Sequence, residues 1–232
     1  SFTVVGPQVT LLGTNGAALA NSNVTTRADG TDFDHVPIGV PVAHVFSVTN
    51  SGTDLLSISA WTTNGSGAAT FAVSDWPATV DVGGVSNFVV TFTPAALGVA
   101  TAQMVIVNDS PTTPYILNLS GSGCLLSTNV GPYAGGNALT ITNGNFGAIT
   151  NVLVDGLPAA IQASGTNWVR VTIPSAGSAG AKDIVIQTSD YGDSTILGAY
   201  AYNEAGVIYT NTPTGGSWTG GYQVAIIGTN LC

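Results

Sequence analysis

The sequence predicts an all-β protein of consecutive β-sandwiches that ends in a C-terminal β-hairpin. Short apolar alternations recur between clusters of Gly, Asn, Pro and Asp, which is typical of half-buried strands separated by turns. Strong helix formers such as Lys and Arg are scarce, with three in 232 residues. A Gly-rich segment also occurs twice, which indicates repeated units.

The first predicted unit spans residues 1–123. Its strands are expected in five alternating segments, at residues 42–50, 55–61, 87–94, 101–108 and 115–123. This spacing is close to that of a β-sandwich, and the abundant Val, Ile and Thr suit a pleated surface. A boundary is expected near SGSGC, residues 120–124, because tight Gly-rich turns become frequent after it.

The second predicted unit spans residues 124–205. Residues 131–161 contain strands between Gly-rich turns, and three further strands are expected at residues 167–174, 181–189 and 195–203. The sequence DYGD, residues 190–193, is interpreted as a hairpin turn between the last two of them. A second boundary is expected near residues 204–206.

Residues 206–232 form the third predicted segment. Residues 135–147 and 220–232 align without a gap, and their paired glycines match. Ile141 also matches Ile226, and Asn145 matches Asn230. A period of about one small sandwich is the signature of a tandem array. The tail is therefore predicted to be a β-hairpin from an incomplete third unit.

A lone two-stranded hairpin is only marginally stable in water, so this tail is expected to need a partner. Val224 and Ile226 share one face of it, and with Tyr222 and Cys232 they are the expected assembly residues. Three outcomes are open. The chain is cut from a longer array, or the tail folds back on its own second unit, or another subunit completes it by strand addition. The last outcome gives a head-to-tail polymer.

Three motifs of the second unit follow one another in a characteristic order. They are GGNALTITNGNFG (135–147), NVLVDGLPA (151–159) and VRVTIPSAGSAGAKDIVI (169–186). With these motifs, residues 125–205 resemble the bacterial IPT/TIG domain, an immunoglobulin-like sandwich. The tail resembles the beginning of a second copy of this domain.

The first unit has two long motifs, DGTDFDHVPIGVPVAHVFSVTNSGTDLLSI (29–58) and FTPAALGVATAQMVIVNDSPTTPYILNLSGSG (92–123). With them, residues 8–123 resemble the choice-of-anchor D or ASH-like immunoglobulin fold. The two resemblances together imply tandem immunoglobulin-like sandwiches in a large secreted or surface protein of bacteria. Such domains act there as spacers, adhesive modules and assembly units, and neither family brings an active site.

Charge and hydropathy argue against a nucleic-acid partner and a membrane span. Three basic residues stand against twelve acidic ones, and the net charge of −9 would repel a phosphate backbone, so we expect no nucleic-acid partner. The longest apolar stretch, residues 95–107, is too short for a bilayer, so we expect no membrane span. Edge strands usually carry Lys or other charged side chains that prevent pairing with other molecules. This chain has a single Lys, which favours self-association.

Asp29, Asp32 and Asp34 are the weak candidates for a metal site, because they lie close together in DGTDFD. A calcium site needs several oxygens that converge on one point, and this spacing is not that of the helix-flanked calcium loop. The favoured interpretation is a turn that enters a strand, with Phe33 directed to the core. No cofactor is expected.

His35 and His44 are the only histidines of the chain. His44 is expected at the rim of the core face, because it shares strand parity with Phe46. A Ser–His–Asp set needs a mutual geometry that the neighbouring Ser47 and Asp34 do not indicate, and the sequence has no G-x-S-x-G motif. We therefore expect no enzymatic activity.

The two cysteines, Cys124 and Cys232, lie at opposite ends of the second unit. A disulfide needs Cα atoms within about 7 Å, whereas strands that rise ~3.3 Å per residue make a sandwich several nanometres long. We therefore expect no bond between them within one extended chain. Cys232 is expected to pair with a neighbouring subunit or a longer precursor, or to stay reduced.

Trp61, Trp76, Trp168 and Trp218 allow a glycan-binding interpretation, because aromatic faces can stack on sugar rings. The simpler interpretation is that they are ordinary sandwich and turn residues. With the two resemblances, the sequence favours a non-enzymatic extracellular structural or adhesive protein, a subunit of a bacterial surface array or filament. The alternatives are a carbohydrate-binding module and a non-catalytic spacer of a larger secreted protein or enzyme.

Overall fold

The computed structural model describes residues 6–143, 146–221 and 223–229, and its regular structure is almost entirely β-strand. The strands of this part of the chain are β1 (Val9–Leu12), β2 (Ala18–Leu19), β3 (Asp32–Pro37), β4 (Val42–Asn50), β5 (Leu56–Asn64), β6 (Phe71–Ser74), β7 (Thr79–Val80), β8 (Val85–Phe92), β9 (Gly98–Asn108), β10 (Tyr115–Leu126), β11 (Val130–Gly131), β12 (Ala138–Thr142), β13 (Ile149–Val154), β14 (Leu157–Pro158), β15 (Ala160–Gly165), β16 (Trp168–Thr172), β17 (Gly180–Thr188), β18 (Gly192–Tyr202), β19 (Val207–Thr212) and β20 (Ala225–Thr229). One short 3-10 turn, Ala68–Thr70, precedes β6. The predicted all-β fold class is confirmed.

The first sandwich packs two sheets around one hydrophobic core. One sheet has the strand order β2-β1-β4-β8-β6, and the other contains β10, β9, β5 and β7, with β3 parallel to β10. Every second side chain points inward, as in β4, where Phe46 and Val48 are fully buried and Val45 is exposed. The largest buried side chains of this core are Leu11, Phe46, Leu56, Phe88, Phe92, Met104, Ile106, Leu117 and Leu119.

A second core lies between the sheet β11-β18-β17-β13-β14 and the strands β12, β16 and β15. Its fully buried side chains include Leu139, Ile141, Phe146, Val152, Val154, Val169, Val171, Ile184, Ile186 and Tyr200. The hairpin predicted at residues 190–193 is confirmed, although its turn lies at residues 189–191 and Gly192 and Asp193 already pair in β18. The described chain thus has two cores, in keeping with tandem sandwiches.

Strand β10 carries one sheet from the first sandwich into the second. Its 12 residues pair with β9 as far as Gly123 and then with β12 at Leu125 and Leu126, so that eight strands share one sheet. The change of core occurs inside the strand, since Leu119 packs in the first core and Cys124 in the second. Backbone hydrogen bonds, rather than a loop, therefore fix how the two cores follow one another.

Beyond the second core, β19 and β20 form a two-stranded antiparallel sheet, which we call the tail hairpin. Its register repeats the pairing of β10 with β12 at an offset of 85 residues. The equivalent pairs are Leu125–Thr142 and Leu126–Ile141 in the second sandwich, and Thr210–Ile227 and Asn211–Ile226 in the tail. The predicted sequence repeat is therefore also a repeat of strand pairing.

The turn before each repeated strand has the same backbone conformation. Gly135 and Gly136 have φ values of 68° and 86°, and the equivalent Gly220 and Gly221 have 72° and 90°. These values lie in the left-handed region that favours glycine. The amide of Gly135 donates to the carbonyl of Pro132 at 2.9 Å, and that of Gly220 to Ser217 at 3.0 Å. The paired glycines are thus required by the turn itself.

Candidate functional site

Polar and charged side chains meet where the two cores adjoin. We call Arg27, Asp34, His35, Ser194 and Thr195 the junction cluster. The first three belong to β3 and the segment before it, and the last two lie in β18. They come together because β3 pairs in parallel with β10 and contacts β18 of the second sandwich.

Asp34 is the centre of the junction cluster. Its φ of 57° is in the left-handed region, which Asp tolerates better than most residues. Its Oδ1 atom accepts a hydrogen bond from the Ser194 hydroxyl at 2.7 Å, and its Oδ2 atom accepts one from the Thr195 amide at 3.0 Å. One carboxylate of the first sandwich therefore binds two consecutive residues of the second.

Arg27 strengthens the same junction. Its Nη2 atom lies 3.2 Å from Oδ1 of Asp34, and its Nη1 atom donates a hydrogen bond to the carbonyl of Asp193. Hydrogen bonds between ionised groups are stronger than those between neutral ones. One of the three basic residues of the chain is thus used to hold the two sandwiches together.

His35 completes the cluster through one ring nitrogen. Its Nδ1 atom lies 2.7 Å from Oδ1 of Asp34 and 2.5 Å from Oγ of Ser194, and its ring packs against Phe146. The Ser194 hydroxyl donates its hydrogen to Asp34, so the Ser194 oxygen is available as an acceptor. A proton on Nδ1 of His35 can therefore be donated to either Asp34 or Ser194, and Nε2 is then left as an acceptor. In a catalytic Ser–His–Asp triad the Ser and the Asp contact opposite nitrogens of the imidazole. Here both contact Nδ1, which does not activate the Ser194 hydroxyl as a nucleophile.

Acidification is expected to weaken the junction below about pH 4. Burial raises the pKa of the Asp34 carboxyl, but hydrogen bonds from His35 and Ser194 and attraction to His35 and Arg27 outweigh it, so the pKa lies below its ordinary 3.8. A carboxyl with a depressed folded-state pKa stabilises the protein above its unfolded pKa and loses this contribution as the pH falls through the folded value.

Urea titrations from about pH 6 to about pH 2 should check this linkage. The free energy of unfolding should fall more steeply below pH 3.8 in the native protein than in the Asp34→Asn variant, whose amide does not titrate. Equal slopes in the two proteins would contradict a role for the ionised carboxylate.

The three aspartates considered as a weak metal site do not converge. Asp29 accepts hydrogen bonds within its own turn, from the amide of Thr31 at 3.0 Å and from its hydroxyl at 2.6 Å. Asp32 accepts one from the amide of Asp34, whose carboxylate faces the second sandwich. Among the described residues, no three His, Cys, Asp or Glu side chains are grouped to hold a metal ion.

The other histidine lies at the rim of the first core, as predicted from strand parity. The half-buried ring of His44 stacks on Phe33 with a centroid distance of 4.1 Å, and its Nδ1 atom contacts the carbonyl of Gly30. Phe33 itself is buried in the core, which confirms that residues 29–34 are a turn entering a strand. Ser47 donates its hydroxyl hydrogen to Asn87.

Sequence reasoning considered Asp34 and His35 but missed the other cluster members, Arg27, Thr195 and Ser194. Ser194 is the residue of the second sandwich that contacts both Asp34 and His35. It follows the hairpin turn predicted at residues 190–193 and lies 160 positions from Asp34. The available signal was Arg27, an uncommon cation in this chain beside two aspartates, but nothing in the sequence indicated which residue lies opposite.

The four tryptophans do not form one sugar-stacking platform. Trp61 and Trp76 pack against the first core, with ring centroids 6.4 Å apart. Trp168 is half-buried in β16, and Trp218 is 97% exposed in the turn of the tail hairpin. These positions agree with ordinary sandwich and turn roles.

The tail hairpin exposes apolar side chains at positions that the second sandwich buries. Val224 and Ile226 are each 53% exposed, whereas their equivalents Leu139 and Ile141 are fully buried. Strand β12 also has β16 as a second neighbour, while β20 pairs with β19 alone in the described part of the chain. Tyr222 and Cys232, the other two predicted assembly residues, lie outside the described residues.

Cys124 is a free thiol, fully buried in the second core. Burial and the negative charge of Asp34 raise the pKa of this thiol to about 12. Because the thiolate is the reactive form of cysteine, Cys124 is protected from exchange at neutral pH. The expected pairing of Cys232 with a neighbour stays a prediction.

Most of the first sandwich matches a known sequence family. Residues 24–122 match the HYDIN/CFA65/VesB-like Ig-like domain. The first sandwich therefore contains an Ig-like domain, which includes Arg27, Asp34 and His35 of the junction cluster. The match covers less than half of the chain, and the finer resemblances, to choice-of-anchor D or ASH-like domains and to IPT/TIG domains, stay predictions.

Several solved structures are similar to this chain at low sequence identity. The plexin A4 extracellular region is 14% identical, with a TM-score of 0.29 over 77% of this chain and 16% of the plexin chain. The Salmonella enterica SafA pilin in complex with the SafB chaperone is 13% identical, with a TM-score of 0.33 over 87% of this chain and 98% of the other. The Vibrio cholerae secreted serine protease VesC is 11% identical, with a TM-score of 0.33 over 71% and 48%.

No curated protein matches the chain. The chain spans 16% and 17% of the two plexin structures that it resembles. Among the described residues, no helix has the length and apolar character needed to cross a membrane.

Proposed function

We propose that this chain is a non-enzymatic extracellular structural protein of bacteria, which assembles into a surface array or filament through β-strand contacts of residues 206–232. The observation that carries the proposal is the tail hairpin. It repeats the register and the Gly-Gly turn of the second sandwich, yet it exposes the apolar positions that the second sandwich buries.

The exposed hairpin has a physical reason to acquire a partner. Full burial of a Val or Ile side chain stabilises by about 1.5–3 kcal/mol relative to exposure, and an isolated two-stranded hairpin is marginal in water. Residues 207–232 contain no Lys or Arg, the residues that usually prevent edge-to-edge pairing. Another polypeptide segment that covers Val224 and Ile226 and pairs with β20 would satisfy both requirements.

The rest of the chain supports a role as a stiff building block. The division that we propose is an Ig-like sandwich at residues 1–123, a second sandwich at residues 124–205, and the partial unit at residues 206–232. The continuous strand β10 and the junction cluster connect the first two through backbone and side-chain hydrogen bonds. A repeated, non-closing contact between such blocks produces a fibre.

Deletion of residues 207–232 should abolish assembly and leave the two sandwiches folded. Sedimentation velocity and electron microscopy of the native and truncated proteins would measure assembly, and circular dichroism would report the fold. Filaments from the truncated protein would refute the proposal. So would a stable native monomer whose tail docks on its own second sandwich.

Point variants on the two faces of β20 sharpen this test. Ile226→Asp places a charge at the position equivalent to the fully buried Ile141, whereas Ile227→Asp places it at the position of the half-buried Thr142. The native side chains are similarly exposed, at 53% and 60%. Ile226→Asp should therefore weaken assembly much more than its matched control, and equal effects would contradict completion of a sandwich like the second.

A further inference from the structure

A cleft between the two sandwiches has the size and composition of a small-molecule site. Its volume is about 660 Å³, within the range of ~300–1,000 Å³ that is usual for ligand pockets. The first sandwich contributes Arg27, Asp32 and His35 to its lining, and the second contributes Phe146 and Tyr191. We call this space the junction cleft.

His35 brings an unused hydrogen-bond acceptor to the lining of the cleft. The residue is only 9% exposed, and both of its polar contacts, with Asp34 and Ser194, use Nδ1. Nε2 has no hydrogen-bond partner within the part of the chain that the structure describes. A ligand hydroxyl that donates a hydrogen bond to Nε2 would give this nitrogen a partner while Nδ1 keeps its contacts with Asp34 and Ser194.

Arg27 and Asp32 add a donor and an acceptor of opposite charge. Their closest approach, from Nε to Oδ2, is 3.8 Å, which is longer than a hydrogen bond, and their side chains are 32% and 29% exposed. Asp34 also lines the cleft, but its carboxylate is already bonded to Arg27, Ser194 and Thr195. A cation entering the cleft would meet Arg27, and an anion would meet Asp32 together with the net charge of −9. The pair therefore favours a neutral ligand that both donates and accepts hydrogen bonds.

The other walls combine hydroxyl-bearing side chains with apolar and aromatic ones. Tyr191 is 59% exposed at the β17–β18 turn, Val99 is 71% exposed at the start of β9, and the buried Phe146 closes one side. A ligand with one apolar face and hydroxyl groups around its edge fits these walls. Its apolar face would pack on the aromatic ring, and its hydroxyl groups would bond to the polar side chains.

We infer that the junction cleft binds a neutral sugar, which donates a hydroxyl hydrogen to Nε2 of His35 and packs its apolar face on Tyr191. The inference does not rest on assembly by the tail. The ligand would contact both sandwiches at once, and binding should therefore also raise the melting temperature of the protein.

The full chain should be tested with a panel of neutral sugars: glucose, galactose, mannose, N-acetylglucosamine and their β-linked disaccharides. Isothermal calorimetry should show saturable binding of at least one of them. Tyr191→Ala should raise its Kd by about tenfold, the effect of one lost aromatic contact. Tyr209→Ala, which removes a similarly exposed ring from the tail hairpin (66% against 59%), should leave the Kd unchanged.

The two histidines give a direct structural readout. On saturation with the sugar, the nitrogen resonance of Nε2 in His35 should shift while the resonances of His44 do not. Failure of every sugar in the panel to bind would overturn the inference. An unchanged Kd in Tyr191→Ala, or an unshifted His35 resonance, would place the site elsewhere and overturn it as well.

Discussion

The Asp34→Ala variant is expected to lose about 3 kcal/mol of unfolding free energy, because removal of one partner from a buried ionic network leaves the other groups unpaired. The carboxylate accepts hydrogen bonds from Ser194 and Thr195 and faces Arg27 and His35. The estimate is at the lower end for a buried pair, since the Arg27 side chain is 32% exposed and can regain water.

For a chain of this length, such a loss lowers the melting temperature by roughly 6–12 °C. Scanning calorimetry should also show the two sandwiches unfolding less cooperatively, because their side-chain link is cut. Asp75→Ala is the matched control. Asp75 has almost the same left-handed φ, 58° against 57°, but is exposed and lies away from the junction, so this variant reports the backbone strain of Ala together with the loss of one exposed hydrogen bond from Ser74. If the two variants lost equal stability, the junction cluster would not contribute.

The strands of both sandwiches could be predicted because one buried face leaves a two-residue period in the sequence. This signal identified β4, β8, β9 and β17. It fails for β2, β7, β11 and β14, since a strand of two residues has no period to detect. Each of those short strands forms because it pairs with the edge of a longer strand. This pairing depends on the assembled sheet and not on the local sequence.

The tail could be predicted in unusual detail because a sequence repeat carries its turn with it. Two consecutive glycines at the same place in each repeat adopt the same left-handed pair of conformations, and the strands that follow enter the same register. The junction cluster could not be predicted in this way. Ser194 meets Asp34 through packing of β18 against β3, and no local pattern encodes a contact between distant strands.

The sequence predicts that a strand ends at residue 123 and that a boundary lies in SGSGC, whereas the strand continues through this segment to Leu126. Gly-rich sequence is typical of turns, yet residues 120–124 are the interior of β10. Glycine inside a strand often marks a close approach of other atoms. A Cβ atom on Gly121 would lie 2.5 Å from the ring of Phe92, and one on Gly123 would lie 1.9 Å from the carbonyl oxygen of Ala96. The glycines are there for packing rather than for flexibility.

Gly123→Ala is therefore expected to be strongly destabilising. The atom in conflict is backbone, which cannot rotate away, and Gly123 lies between Gly98 of β9 and Val36 of β3. A shift of β10 that relieves the overlap would disturb its hydrogen bonds with both β9 and β3. These bonds lie at the boundary between the first core and the second. We expect a loss at or above the upper end of the ~1–3 kcal/mol typical of overpacking, measured by urea unfolding.

Gly177→Ala separates this steric effect from the general consequence of adding a methyl group. A Cβ atom at Gly177 meets nothing within 4 Å, and its φ is not in the left-handed region. That substitution should be neutral or should stabilise by about 0.4–1 kcal/mol, because Ala restricts the unfolded chain. If Gly123→Ala unfolded at the same urea concentration as Gly177→Ala, β10 would have room to move, and the two sandwiches would not be held as rigidly as the continuous sheet implies. A large difference between the variants would instead locate the stiffness of the block in strand β10, where the backbone leaves no space for a side chain.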